Sequence, residues 1–404
     1  MNPSDDDILA VRQAAREVLS GSWLEQEGFC PPNPLVYPHQ WLWDSCFHAI
    51  AWAALEDHRA GLELQSCLSG ALPHGFVPHM RYLGPSEGRG PLADRSSFTQ
   101  PPIYAHAARC IQLRGFTLED GVVARIAAAL DWLWAWRLSE EGLVFIVHPW
   151  ESGSDDSPRW DGWVGLPSYD HSAYSAWDRA LVADTVFDSW GAAVWSSSFV
   201  CAPAAFNAFV AHAAGETYAL TGDRRWKDRS DALADAIDAT LWDEESGLWL
   251  DKALVGGDAS VAVPTLDGIL GALSTSDPLK ADRALAQVAD ATRFGLPFGV
   301  AFVPPSEPSY DPNEYWRGPA WPQLNYMTAL AARRWGRADL YAEIAAKTVR
   351  SALASGFSEY WNPETGQGRG ATPQGWAAVA AALTGAGGSE VTALEERSES
   401  KPPW

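Results

Sequence analysis

The chain has 404 residues, 47% of them apolar, and a formal net charge of −22 from 51 acidic and 29 basic residues. Its length and apolar content allow a large buried core, and its negative field repels nucleic-acid phosphates and anionic lipid surfaces, so we expect neither as a partner. No run approaches the roughly 18 apolar residues of a membrane span, and the acidic N-terminus lacks the basic and apolar regions of a signal peptide.

Most long segments carry apolar residues at helical spacing and are rich in Ala and Leu. The spacing predicts about ten to twelve helices, with short strands in the segments 142–150 and 246–255. In chain order, the predicted helices cover residues 5–23, 41–57, 104–115, 123–140, 206–223, 225–243, 279–293, 324–355 and 375–387.

Helices that alternate with long, polar, aromatic loops indicate an all-α toroid with inner and outer helices, whose loops gather at one end and form a pocket. A stacked helical solenoid is the alternative, but it would have a sequence repeat and short loops. We expect one catalytic domain over residues 1–385. The charged segment 386–404 is predicted to be a flexible tail.

Tryptophan is unusually frequent, with 22 residues beside 11 Tyr and 14 Phe. Aromatic rings form flat platforms on which sugar rings stack, and carboxylates accept hydrogen bonds from sugar hydroxyls. This composition therefore favours a carbohydrate ligand. A helical core that happens to use tryptophan is the alternative explanation.

The stretch HPWESGSDDSPRWDGW, residues 148–163, combines four carboxylates with three tryptophans on a predicted loop. Hydrolysis of a glycosidic bond needs two carboxyls, and the one that acts as the acid must have a raised pKa. Apolar walls and neighbouring carboxylates both raise a pKa. This stretch supplies both, although its residues alone do not single out one of the four acids. Glu359, a lone acid between aromatic residues in FSEYWNP, is a candidate partner, or else a helix-capping acid.

Two further loops carry candidate binding residues. In NPLVYPHQWLWDSCFH, Asp44 either caps a helix or holds two hydroxyls of a sugar. The segment 73–102 is rich in Gly and Pro and contains Arg81, Arg89 and Arg95. It is interpreted as a mobile lid or as a disordered surface loop.

Other chemistries have less support in the sequence. There is no GxSxG elbow, and no phosphate-binding glycine loop follows a strand. The nine histidines are scattered, and no metal-ligand triad is visible. The five cysteines lack CxxC spacing, which indicates reduced thiols in a cytoplasmic protein.

Four motifs in this order, WLWDSCFH, PWESGSDDSPRWD, YWRGPAWPQLNY and FSEYWNPETG, resemble glycoside hydrolase family 63 over residues 30–380. They are most similar to its bacterial mannosylglycerate and glucosylglycerate hydrolases, with trehalases as more distant relatives. The resemblance implies an (α/α)6 barrel and hydrolysis with inversion, without a metal or an organic cofactor. It assigns the general acid to Asp155 and the general base to Glu359. The sugar-binding residues that it implies are Tyr37, Trp41, Trp43, Asp44, Gln100, Trp150, Glu151, Arg159, Asp161, Trp316, Arg317, Gly318, Trp321 and Gln374.

One feature departs from that branch, because the arginine expected for the glycerate carboxylate is missing after the acid-bearing loop. Arg179 or a lid arginine takes its place, or the substrate is not a glycerate, since a buried carboxylate needs a cationic partner. We therefore favour another small α-glucoside or α-mannoside. The alternatives are a carbohydrate-binding protein without catalysis, or an epimerase or phosphorylase on the same scaffold. His39, His48 and His171 would suit an epimerase, whereas Glu359 argues against a phosphorylase. The oligomeric state is left open.

Overall fold

The structure is a computed structural model, and it describes residues 3–166, 168–256 and 262–385. The predicted tail, residues 386–404, lies outside the described residues. The α-helices in the described part are α1 Asp5–Ser22, α2 Leu42–Ala54, α3 Arg59–Ser69, α4 Tyr104–Leu113, α5 Val122–Trp136, α6 Asp161–Val164, α7 His171–Ala183, α8 Ala204–Thr221, α9 Arg224–Thr240, α10 Pro278–Ala289, α11 Pro322–Arg334 and α12 Ala338–Ser355.

Six helical segments form an inner ring in which each packs on the next and the last packs on the first. They are α2, α4, α8, the 3₁₀ segment Leu270–Leu273, α11 and the 3₁₀ segment Gly375–Thr384. Helices α1, α3, α5, α9, α10 and α12 pack around this ring. Each precedes one inner segment along the chain, so the predicted (α/α)6 barrel is confirmed.

The two rings differ in how much of each helix is buried. All 13 residues of α2 are buried, as expected for an inner helix that is covered on every side. The outer helix α1 buries Val11, Ala15 and Leu19, which recur every four residues on one face. Hydrophobic packing of such stripes against the inner ring holds the barrel together.

Short antiparallel strand pairs fasten the loops at one end of the barrel. Two pairs matter for the site: β1 with β2 joins Trp41 to Met80, and β11 with β12 joins Tyr360 to Arg369. The strands are β1 Gln40–Trp41, β2 Met80–Arg81, β3 Thr185–Phe187, β4 Ala193–Ser196, β5 Val200–Ala202, β6 Trp242–Asp243, β7 Leu248–Trp249, β8 Lys252–Val255, β9 Gly295–Leu296, β10 Gly299–Val300, β11 Tyr360–Trp361 and β12 Gly368–Arg369.

The differences from the sequence prediction are local. Helices α3, α6 and α7 were not predicted. The predicted helix 324–355 is divided into α11 and α12, because Gly336 adopts a left-handed conformation with φ +66° that ends the first helix. The predicted helix 375–387 is a 3₁₀ segment over Gly375–Thr384, and residues 386 and 387 lie outside the described residues. Strands β7 and β8 lie within the predicted strand segment 246–255.

Candidate active site

A cavity of about 450 Å³ opens at the end of the barrel where α2 begins. Its wall comes from the loop before α2, the segment 82–98, the loop after Trp150, helix α7 and the segments around Glu359 and Gln374. Nine of the residues predicted for the site line it: Tyr37, Trp41, Trp43, Asp44, Gln100, Trp150, Asp155, Glu359 and Gln374.

Asp155 lies on a tight loop between two single 3₁₀ turns, Pro149–Ser152 and Pro158–Trp160. Gly153 turns the chain with φ +77°, and a Cβ atom there would lie 2.6 Å from the Trp43 ring, so the loop can pack this closely only with glycine. Burial, Asp156 and Glu359 together raise the pKa of Asp155 to about 7. The loop thus presents a carboxyl that holds a proton near neutral pH.

Glu359 is buried immediately before β11. Its Oε1 accepts a hydrogen bond from the Tyr37 hydroxyl at 3.0 Å, and its Oε2 accepts one from the Ala371 backbone N–H at 2.8 Å. Burial raises the pKa of Glu359 to about 7, although both hydrogen bonds act in the opposite direction. The side chain is therefore fixed in orientation and poised to exchange a proton near neutral pH.

Asp44 lies in the first turn of α2 and lines the cavity. The residue at the N-cap is Trp41, which makes no side-chain cap, so Asp44 is not the capping residue. Burial and the nearby Glu359 raise the pKa of Asp44 well above its usual range. A polar wall group of this kind can hydrogen-bond a sugar hydroxyl.

Aromatic rings form the floor of the cavity. Trp43 lies edge-on to Trp376, with ring centroids 5.6 Å apart. Behind Trp43, Trp316 and Trp321 stack at 3.6 Å and are fully buried, so they support the floor without lining it. Gly318 does not line the cavity either. It packs closely on the backbone, since a Cβ atom there would lie 2.6 Å from the Asp311 carbonyl oxygen.

Two other predicted residues form buried ion pairs away from the cavity. Glu151 is fully buried and accepts hydrogen bonds from both terminal nitrogens of Arg137, at 2.8 and 2.7 Å. Arg159 is bound to Asp251 at 2.6 Å and to Asp267. The Glu151 carboxylate and the Arg159 guanidinium are therefore already paired. These two residues stabilise the acid-bearing loop and do not line the cavity.

Asp161 and Arg317 pair with each other instead of lining the cavity. The two guanidinium nitrogens of Arg317 lie 2.8 and 2.6 Å from the Asp161 carboxylate. Tyr174 of α7 donates a hydrogen bond to the same carboxylate, and the guanidinium lies 4.3 Å from the Tyr169 ring centroid. This pair joins α6 to the segment before α11.

The segment 82–98 contributes Arg89 and Glu87 to the cavity wall. The Arg89 guanidinium lies 4.2 Å from the Trp150 ring centroid and 3.3 Å from Glu87. His39 bonds the other oxygen of Glu87 at 3.0 Å. Arg95 instead donates to the Gly70 carbonyl at 2.6 Å. Of Arg81, Arg89 and Arg95, only Arg89 lines the cavity.

Helix α7 supplies lining residues that were not predicted for the site: His171, Ser175 and Asp178, together with Arg179, which had been considered as a replacement for the glycerate-binding arginine. Asp178 accepts a hydrogen bond from the Trp150 indole N–H at 3.1 Å. Burial and the neighbours Asp155 and Asp156 raise its pKa to about 8. Polar residues spaced by four and three positions, which share one face of a helix, were the available signal. Tyr315 and Trp376 also line the cavity.

An (α/α)6 barrel whose aromatic cavity is lined by two carboxyls of raised pKa, Asp155 and Glu359, defines the class as a glycoside hydrolase. The profile described as "Mannosylglycerate hydrolase MGH1-like glycoside hydrolase domain" matches residues 37–377, and the chain belongs to this family. This confirms the prediction that the protein is a glycoside hydrolase of family 63. Inversion at the anomeric carbon is consistent with that family. No helix in the described ranges has the length and apolar character to cross a membrane.

Several curated and solved proteins are similar to this chain. A mannosylglycerate hydrolase of Thermus thermophilus is 31% identical, over 87% of this chain and 95% of its own. A glucosylglycerate hydrolase of Mycolicibacterium hassiacum is 28% identical, over 94% and 98%. A crystal structure of the GH63 mannosylglycerate hydrolase from Thermus thermophilus with Tris and D-glycerate matches with a TM-score of 0.78 and 29% identity, over 92% and 99%. Yeast neutral trehalase, 13% identical with a TM-score of 0.57 over 93% and 76%, shares the fold alone.

Proposed function

We propose that this enzyme hydrolyses an α-glucoside or α-mannoside of glycerate, with Asp155 as the general acid and Glu359 as the general base. One observation carries the assignment: both side chains line one cavity, and burial raises the pKa of each to about 7. Near neutral pH one carboxyl can therefore be protonated while the other is ionised. An inverting hydrolysis requires that combination.

In the proposed reaction, Asp155 transfers a proton to the glycosidic oxygen as the bond to the anomeric carbon breaks. Glu359 takes a proton from a water molecule that attacks the opposite face of the sugar. The water must fit between the sugar and Glu359, so we expect the carboxyls to lie about 6.5–9.5 Å apart. Tyr37 and the Ala371 N–H keep the two oxygens of Glu359 in place.

The arginines of the cavity support a glycerate as the aglycone. Arg89 and Arg179 line the cavity, and guanidinium groups are the preferred partners of carboxylates in partly buried sites. The missing family arginine had favoured a small α-glucoside or α-mannoside other than a glycerate, and these two side chains remove that reason. The similar proteins named mannosylglycerate and glucosylglycerate hydrolases support the same class of substrate.

Proton NMR of product release tests the reaction. The substrates are glucosylglycerate, mannosylglycerate, glucosylglycerol, trehalose, kojibiose and nigerose. We expect the β-anomer of the sugar to appear first, and Asp155→Asn and Glu359→Gln to abolish turnover while sugar binding persists. No turnover of any substrate would support a carbohydrate-binding protein instead. If the α-anomer appeared first, the mechanism would be retaining and the two roles would be wrong.

Matched substrates separate recognition of the carboxylate from catalysis. We expect Arg89→Gln and Arg179→Gln each to raise KM for glucosylglycerate by about tenfold or more, since a hydrogen bond to a charged group contributes roughly 1.5–3 kcal/mol. For neutral glucosylglycerol, KM should hardly change. Arg95→Gln is the control, because Arg95 belongs to the same segment but bonds the Gly70 carbonyl. Equal effects on both substrates would contradict a glycerate site.

The place of action is also part of this proposal. All five cysteines lie in the described part of the chain and are free thiols, which is typical of a reducing compartment. This supports the predicted cytoplasmic location. The aromatic, carboxylate-lined cavity supports a small carbohydrate as the partner, and the net charge of −22 disfavours a nucleic acid or an anionic membrane. Fractionation of the native host with an activity assay tests the location.

A further inference from the structure

Three potential metal ligands meet between α4 and α8, outside the lining of the candidate active site. His106 comes from α4, and His212 and Glu216 come from one face of α8. A small cavity of about 80 Å³ beside them is lined by the ends of α2, α4 and α11, whereas the catalytic cavity lies where α2 begins. The cluster is therefore separate from the residues proposed for catalysis.

The distances between the three ligand atoms match a tetrahedral ion. His106 Nδ1 lies 3.2 Å from Glu216 Oε1 and 3.3 Å from His212 Nε2. His212 Nε2 lies 3.4 Å from the same oxygen of Glu216. An ion with bonds of about 2.0–2.1 Å holds its tetrahedral ligands about 3.3–3.4 Å apart. The three atoms thus form a nearly equilateral triangle. Its sides have the ligand–ligand distance that tetrahedral coordination of a zinc-like ion requires.

Hydrogen bonding alone explains this triangle less well. Both imidazole nitrogens face one carboxylate oxygen and also each other at 3.3 Å. If both nitrogens carry protons, the two N–H groups oppose each other; if only one does, the other presents a lone pair toward the same point. A cation at that point would satisfy all three atoms at once.

The surroundings of His106 provide the outer support that metal-binding histidines usually have. Its other ring nitrogen, Nε2, lies 2.9 Å from the Tyr326 hydroxyl, and the Cys110 thiol lies 3.5 Å from the same nitrogen. Such a bond fixes the ring and directs Nδ1 toward the ion. The bond at Nε2 therefore holds the His106 ring in the orientation in which Nδ1 can bind the ion.

Access and charge at the site define the remaining ligand. Glu216 borders both the 80 Å³ cavity and a second cavity of about 260 Å³, so an ion and a small fourth ligand can reach the triangle. Arg109 lies 3.9 Å from Glu216, and Arg333 and Arg334 line the two cavities. These cations weaken the attraction for a divalent ion but favour an anion as its fourth ligand.

We propose that His106, His212 and Glu216 bind one divalent transition-metal ion of the zinc class, with water or a small anion in the fourth position. The ion would join the inner helices α4 and α8. Its role is structural or regulatory, because the site lies away from Asp155 and Glu359.

Cobalt and zinc titrations of the full-length chain, freed of metal with a chelator, test the proposal. We expect one equivalent of Co²⁺ to bind with the intense visible absorption of a tetrahedral site, and Zn²⁺ to displace it. Glu216→Gln and His212→Gln should each weaken Zn²⁺ binding by at least about tenfold. Tyr326→Phe, which removes only the outer support, should weaken it by about 10–100-fold at most.

Two controls separate this site from the rest of the molecule. His58→Gln removes a histidine whose side chain is 80% exposed and should leave Zn²⁺ binding unchanged. Asp155→Asn, inactive under the proposed function, should bind Zn²⁺ like the wild type, so the two proposals fail independently. Equal affinity of the wild type and the His212→Gln variant would overturn the metal site. Because His212 is partly exposed, that variant decides the matter if Glu216→Gln does not fold.

Discussion

The Tyr37 hydroxyl donates a hydrogen bond to Oε1 of Glu359 across 3.0 Å, joining residues 322 positions apart in the chain. Burial raises the pKa of Glu359 to about 7, whereas the hydrogen bond from Tyr37 and the one from the Ala371 N–H hold it down. A general base acts only when ionised. The acidic limb of the pH–rate profile should therefore follow the pKa of Glu359.

Removing the Tyr37 hydroxyl should move that limb. In Tyr37→Phe the carboxylate loses a donor, its pKa rises, and the limb of kcat/KM on the acid side shifts to higher pH. We also expect kcat to fall by about tenfold or more, because the carboxylate is less well oriented. The control is Tyr310→Phe, since the Tyr310 hydroxyl bonds Glu364 at 2.8 Å outside the cavity. An unchanged acidic limb in Tyr37→Phe would contradict the role of Glu359 as the base.

The alkaline limb should respond to Asp156. Burial first and then the Asp156 carboxylate raise the pKa of Asp155, the proposed acid, which must be protonated to act. Activity is therefore lost as pH rises through this pKa. Asp156→Asn removes the neighbouring charge, so the alkaline limb should shift to lower pH. Asp156 bonds His171 at 2.8 Å. The matched control is Asp188→Asn, because Asp188 also bonds a histidine, His74, at 2.8 Å but does not line the cavity. A shift to higher pH would contradict the assignment.

The sequence was informative where chemistry is local. The acid-bearing loop, the aromatic residues before α2 and Glu359 stand in short motifs, and these side chains do line one cavity. The alternation of long helices with long loops predicted an all-α toroid, and the family resemblance implied the (α/α)6 barrel. Helices α3 and α7 were missed, because each buries a charged residue, Glu63 or Asp178, that interrupts its apolar stripe.

Ion pairs between residues far apart in the chain could not be predicted from the sequence. Arg317 meets Asp161 across 156 positions, and Arg159 meets Asp251 across 92. A charged residue in a motif can contact a substrate or a buried partner of opposite charge. The motif alone does not distinguish the two, because the partner lies elsewhere in the chain. The same reason hid the triangle of His106, His212 and Glu216.

Glu151 illustrates that distinction and carries a stability prediction. Its carboxylate binds Arg137 and accepts hydrogen bonds from the backbone N–H groups of Thr99 and Val147, at 3.1 and 2.8 Å. In Glu151→Gln the buried guanidinium loses its counter-charge, so the free energy of unfolding in urea should fall by about 3–5 kcal/mol.

An exposed ion pair provides the comparison. Lys227 and Asp231 lie 2.7 Å apart on the surface of α9, and Asp231→Asn should change the free energy of unfolding by less than about 1 kcal/mol. If Glu151→Gln were as stable as this control but had lost substrate affinity, Glu151 would act in binding, as the family resemblance implied.

Gly370 allows the position of the base to be tested without changing a titratable group. Its φ is +68°, and a Cβ atom there would clash with Oε2 of Glu359. Gly370→Ala should therefore displace the carboxylate and lower kcat by about 100-fold, the effect expected for a misplacement of about 1 Å. Gly356→Ala is the matched control: its φ is +70°, but its nearest neighbour would be Thr372 Cγ2 at 3.6 Å. Both variants carry similar backbone strain, of order 1–3 kcal/mol, so a lower kcat of the folded Gly370→Ala protein than of Gly356→Ala reports on the steric displacement of Glu359. Equal kcat in the two variants would mean that the orientation of Glu359 does not limit the reaction.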